Sequence, residues 1–107
     1  MIETREALDA LDAILGAPGI DGVFVGPSDL SITLSHGGVV DPHGAHLEAA
    51  LSRIAAAAKA HGKFAGLFCF DGARAKAARA RGFALTSISS DLLLLRSAAR
   101  AELAAAR

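Results

Sequence analysis

The segment Gly22-Val23-Phe24-Val25 ends abruptly at Gly26-Pro27 and is followed at once by Ser28-Asp29-Leu30-Ser31. An apolar run of this length between turn residues suits a parallel strand covered on both faces. Ser28 and Asp29 then open a helical turn, so backbone N–H groups stand free beside the Asp29 carboxylate. Such a turn can hold a small anion on its amides, and the carboxylate can hold a hard cation. The carboxyl end of a parallel strand is where α/β proteins place their chemistry.

The rest of the chain repeats the alternation. Met1-Ile2-Glu3 reads as the tip of a first strand, with Thr4 as an N-cap. Ala7, Leu8, Leu11, Ile14 and Leu15 recur at helical spacing, and Gly16, Pro18 and Gly19 end that helix. A second strand is expected over 20–25. Residues 27–44 read as a long loop with one helical turn over 30–34, because Gly37-Gly38 and Asp41-Pro42 mark turns. A helix is expected over 45–60 with Leu47, Leu51, Ile54 and Ala58 inward. A strand follows over 64–70, then a helix over 73–80 capped by Asp71 and closed by Gly82. A strand over 83–88 and a helix over 92–105, capped by Ser89, Ser90 or Asp91, complete the order. Strand–helix alternation implies parallel, right-handed crossovers. Glu3, Asp29, Asp71 and the 89–91 turn therefore lie on one rim of an α/β sheet.

At 107 residues the chain holds one domain at most and falls short of a complete (β/α)8 barrel, which takes about 250. The balance of 11 basic and 11 acidic residues gives no electrostatic case for nucleic acid or an anionic membrane. No stretch is long and apolar enough to cross a bilayer. Arg96, Arg100 and Arg107 read as a solvated helix face. The single cysteine, Cys69, lies in an apolar run and reads as a buried, inert thiol. No leader is evident before the first elements, and the expected location is cytoplasmic.

Glu3 and Asp29 end consecutive strands. Neighbouring strands lie about 4.8 Å apart, so the two carboxylates can converge on one cation. An all-oxygen site with room for water suits Mg²⁺ or Mn²⁺. Such an ion beside the Ser28 and Asp29 amides would suit a 2-oxo acid, chelated by the metal and held through its carboxylate by the amides. Alternatives stay open. Asp29 reads equally as a helix cap, and Glu3 as a solvated residue. His61 reads as a cation at a helix C-terminus. His36 can reach the rim as a base. The spacing His43-x-x-His46 lacks partner ligands, and Ser31, Ser87, Ser89 and Ser90 lack a His–Asp pair for nucleophilic catalysis.

The segments Ile2-Glu3-Thr4-Arg5-Glu6-Ala7 and Gly19-Ile20-Asp21-Gly22-Val23-Phe24-Val25-Gly26-Pro27-Ser28-Asp29-Leu30-Ser31 resemble the HpcH/HpaI aldolase family. The likeness continues through Gly62-Lys63, Gly66 and Asp91-Leu92-Leu93-Leu94. The resemblance implies the C-terminal portion of a TIM barrel, from the end of strand five through helix eight, as a single partial domain over 1–107. It implies Glu3 and Asp29 as ligands of Mg²⁺, Mn²⁺ or Co²⁺, and the backbone amides at Ser28 and Asp29 as receivers of the pyruvate carboxylate. The implied reaction is reversible cleavage of 4-hydroxy-2-oxo acids to pyruvate and an aldehyde, in a homo-oligomer whose last helix packs on a neighbour.

The chain also departs from the family pattern. The family's general-base histidine and substrate arginine have no counterpart, so no catalytic residue is assigned, and Met1 stands where the family has a glutamine. A truncated reading frame or a fragment of a larger protein is expected. Half of a closed sheet would expose strand edges, so a partner or self-association is expected too. A non-catalytic half-barrel assembly module and a citrate lyase-like acyl-CoA lyase remain as alternatives.

Overall fold

The computed structural model describes every residue from Met1 to Arg107. Three parallel strands, β1 (Gly22–Val25), β2 (Phe64–Cys69) and β3 (Leu85–Ile88), lie side by side in chain order. Gly22 pairs with Phe64, and Gly66 with Leu85. Ile2 adds a parallel bridge to Val25 on the free side of β1, with its N–H donating to the Phe24 carbonyl at 2.8 Å. Six helices connect or follow the strands: α1 (Arg5–Asp9), α2 (Leu11–Gly16), α3 (Pro27–Leu34), α4 (Ala45–Ala60), α5 (Gly72–Arg81) and α6 (Asp91–Ala105). The architecture is α/β, and all strand carboxyl ends point to one rim.

Local chemistry explains most boundaries. The Thr4 hydroxyl accepts the Ala7 N–H at 3.1 Å, and the Asp71 carboxylate accepts the Arg74 N–H at 2.7 Å. Both are side-chain N-caps. Gly82 ends α5 at φ 109°, a left-handed position that favours glycine. Of the three candidate caps for the last helix, Ser90 takes the role; Asp91 is the first helical residue and accepts the Leu92 N–H.

The structure corrects four expectations. The expected first helix is interrupted at Ala10, although the Ala10→Glu6 and Ile14→Ala10 backbone bonds span the break, so its apolar stripe continues. Residues 27–44 are not a loop with one turn at 30–34: an eight-residue helix starts directly at Pro27. Proline at the first helical position has its φ preset and loses no needed donor, which a search for apolar periodicity does not register. Strand β1 starts at Gly22 rather than residue 20, because the turn at Gly19 still holds the Ile20 N–H on the Ala17 carbonyl. Strand β3 starts at Leu85 rather than residue 83, since Phe83 is buried in the turn that follows Gly82.

The core lies between the sheet and helices α1 to α5. Leu8, Leu11 and Leu15 share one buried cluster with Val23 and Val25. The expected stripe of Leu47, Leu51, Ile54 and Ala58 packs against Ala65, Leu67 and Cys69. Cys69 is fully buried, and that burial pushes its thiol pKa up, in keeping with an inert role. Helix α6 buries nothing, and the run Leu92 to Leu95 is exposed along with Leu85 and Ile88 of β3. No helix is long and apolar enough to cross a membrane.

One ion-pair cluster links helices α4 and α5. The two Glu48 oxygens accept from Arg74 and Arg81, and Arg74 also reaches the Pro42 carbonyl. Partial burial works against the Glu48 carboxylate. The two guanidinium groups outweigh it and hold its pKa below the ordinary 4.5. A lowered native pKa means the pair stabilises the fold above pH 4.5 and fades as pH falls through the native value. Glu48→Gln is expected to cost about 1 kcal/mol near neutrality. The difference from the parent chain should shrink as the pH is lowered below 4.5, as read by urea midpoints at a series of pH values.

Candidate functional site

Glu3 follows the buried Ile2 and precedes the Thr4 cap of α1. The Ile2–Phe24 hydrogen bond and the cap therefore restrain its backbone on both sides. Its carboxylate reaches over Gly26. A Cβ at Gly26 would stand 2.6 Å from Glu3 Oε1 and 3.0 Å from its Cγ. Gly26 has an ordinary φ of −92°, so what the glycine supplies is space. The acid occupies the volume that any side chain there would fill.

Gly26 is also the N-cap of α3. Helical bonding begins with the Leu30 N–H on the Gly26 carbonyl at 3.0 Å. Pro27 has no N–H, and no side chain caps the helix. The first N–H groups of a helix have no carbonyl a turn earlier to bond. The N–H groups of Ser28 and Asp29 thus have no acceptor within the chain. They form a small electropositive end where an anion is stabilised. Asp29 is the third residue of α3 and not its N-cap, which settles that alternative.

Glu3, Gly26, Ser28 and Asp29 line one cavity of about 300 Å³, walled by Phe24, Phe68 and Phe70. Phe68 and Phe70 meet edge to face, with ring centres 5.1 Å apart. The site is polar at the rim and aromatic below, the usual layout of a small-molecule pocket. The two carboxylates are not joined by a third acid, His or Cys. That donor set suits a hard divalent ion that keeps several of its waters, and the Gly26 cradle leaves the Glu3 carboxylate room to serve it. A larger groove of about 930 Å³ lies at the opposite, amino ends of the strands, near Asp21, Lys63 and Phe64.

The structure separates the other candidates from this cavity. His36 lies in a groove with Arg5, His46 and Arg53 between α1, α3 and α4 and does not line the rim cavity, so the minor option of a base at the rim is not realised. His61 Nε2 sits 3.0 Å from Asp12 Oδ1, tying the end of α4 to α2. Ser31 is buried; its hydroxyl donates to the Ser28 carbonyl at 2.7 Å and accepts the Asp41 N–H at 3.0 Å. It fastens the 35–44 loop to the first turn of α3. The aromatic wall escaped the sequence reading. Its signal is the alternation along the strands, which puts Phe24, Gly66 and Phe68 on the sheet face that the core helices leave uncovered.

A segment of a (β/α)8 barrel with an acid at two strand ends defines the class, and comparison with known proteins identifies the family. The family model described as HpcH/HpaI aldolase/citrate lyase matches residues 1–98, and the chain belongs to that family. It is 45% identical over its whole length to a hydroxypyruvate/pyruvate aldolase of Rhizorhabdus wittichii, of which it covers 43%. It is 39% identical over 98 residues to a 5-keto-4-deoxy-D-glucarate aldolase of Citrobacter koseri, covering 91% of this chain and 37% of that protein. A crystal structure of a family member from Burkholderia cenocepacia superposes with a TM-score of 0.92 at 36% identity, covering 99% of this chain and 40% of that one. The chain thus spans about two fifths of the length of the relatives it matches.

Replacing Gly26 tests the cradle. The flexible end of Glu3 can swing away, so Gly26→Ala should cost about 1 kcal/mol or less. A crystal structure of the variant should show the Glu3 carboxylate turned out of the cavity. An unmoved carboxylate would mean that Gly26 is not what makes room for it.

Proposed function

We propose that this chain carries the metal- and pyruvate-binding part of a divalent-metal-dependent aldolase, a carbon–carbon lyase that acts reversibly on 4-hydroxy-2-oxo acids to give pyruvate and an aldehyde. The supporting observation is the single cavity in which Glu3 and Asp29 flank the two free N–H groups at the start of α3. Glu3 and Asp29 would hold Mg²⁺, Mn²⁺ or Co²⁺, which when bound supplies Lewis-acid polarisation of the substrate's keto group. The Ser28 and Asp29 amides receive the carboxylate of the 2-oxo acid and orient it. Phe24 and Phe68 form the apolar floor, which lowers the local dielectric and strengthens both contacts. No histidine, lysine or arginine lines the cavity, so these residues bind and orient substrate, and a proton leaving the pyruvate methyl group goes to solvent water.

Family membership and the names of the relatives support aldolase chemistry over the alternatives. An acyl-CoA substrate would call for cationic side chains at the rim, and the cavity has none. The exposed leucines of α6 support a homo-oligomer in which that helix is covered. We place the protein in the cytoplasm with no nucleic-acid or membrane partner, in line with its balanced charge.

Exchange of the pyruvate methyl protons with deuterium, followed by NMR in Mg²⁺, tests the reading. Exchange should stop with chelator and return with metal. Glu3→Gln and Asp29→Asn should each slow it by about 100-fold or more, the scale of losing a group that stabilises developing charge. Exchange that is indifferent to both substitutions would defeat the assignment. Mn²⁺ binding with no exchange at all would favour the non-catalytic assembly module.

A further inference from the structure

We propose that Thr33 is a positioning residue for the two-carboxylate site, an inference that rests on the metal reading above. Its hydroxyl lies 3.2 Å from the Glu3 carbonyl and 3.2 Å from the Asp29 carbonyl. One proton is thus shared between the main chains of the two acids that face the cavity. The Asp29 contact alone is ordinary, since a helical threonine commonly bonds the carbonyl four residues back. The Glu3 contact is not local: it spans 30 residues and joins the second turn of α3 to the tip of the strand before α1. Thr33 does not line the cavity, so it acts through Glu3 and Asp29 and touches no substrate.

The consequence is geometric. Glu3 is carried by the Ile2–Phe24 pairing and Asp29 by α3. A rotation or slide of α3 would change the separation of the two carboxylates while leaving the sheet intact. The Thr33 hydroxyl opposes that motion at the point where both main chains meet. Outer groups that orient metal ligands in this way change metal affinity by about 10–100-fold when removed. Arg5 makes a second link between the same elements, donating to the Leu34 carbonyl at 3.3 Å, but it contacts neither acid's main chain and provides an internal control.

The experiment is a Mn²⁺ titration of the full chain by electron paramagnetic resonance, with the thermal midpoint of the metal-free protein measured alongside. Thr33→Val keeps the shape and loses the hydroxyl, and should weaken Mn²⁺ binding about tenfold. Thr33→Ala, which loses the same group on a better helix former, should show the same loss and guards against a valine-specific folding defect. Thr33→Ser should keep affinity within about threefold, and Arg5→Gln should lower the midpoint with affinity held within the same margin. Unchanged affinity in Thr33→Val and Thr33→Ala, or an equal loss in Arg5→Gln, would overturn the role of Thr33 while leaving the metal site standing. Absent Mn²⁺ binding in the parent chain, or binding unaffected by Glu3→Gln, would overturn the metal reading and this inference with it.

Discussion

The Ile2 N–H to Phe24 carbonyl bond is the smallest feature on which the site depends. It is a single parallel bridge, yet it brings the start of the chain against β1 and sets Glu3 level with Gly26. Burial of Ile2 in the core cluster holds the bridge closed. Packing of an aliphatic side chain, worth about 1.5–3 kcal/mol when complete, is thus coupled to the electrostatics of the rim.

Glycine does much of the remaining shaping. At Gly26 a missing side chain admits a carboxylate. At Gly66 it admits an aromatic ring, since a Cβ there would stand 2.5 Å from Phe24 Cδ2. Phe24 can therefore lie across β2 and form the cavity floor beside Phe68. Polar rim and apolar floor follow from two vacancies, one at the N-cap of α3 and one inside β2.

Much of this was legible in the residues, and the boundaries of legibility are physical. Period and composition sufficed for α4, for β2 up to its last residue, and for the Asp71 and Thr4 caps, because each depends on its own neighbours in sequence. The placement of Glu3 and Asp29 on one rim followed from parallel topology. Helix α3 was under-read because its eight residues carry too little apolar repetition, and its start is decided by Pro27 geometry. The break at Ala10, the His61–Asp12 contact and the separation of His36 from the rim are tertiary outcomes that no local pattern encodes. The link through Thr33 joins residues 30 positions apart and becomes visible only once α3 is docked.

The site opens on the side of the sheet that the core helices leave uncovered, and that side carries further exposed apolar surface. Leu85 and Ile88 on β3 and the run Leu92 to Leu95 on α6 are exposed, while β3 pairs on one side only. An unpaired edge strand next to a leucine-rich helix invites association. Phe24 and Phe68 lie on the sheet face that the core helices do not cover, so the cavity floor belongs to the same incompletely covered surface. Covering that surface would deepen the cavity, exclude water from the rim and sharpen each of its electrostatic contacts.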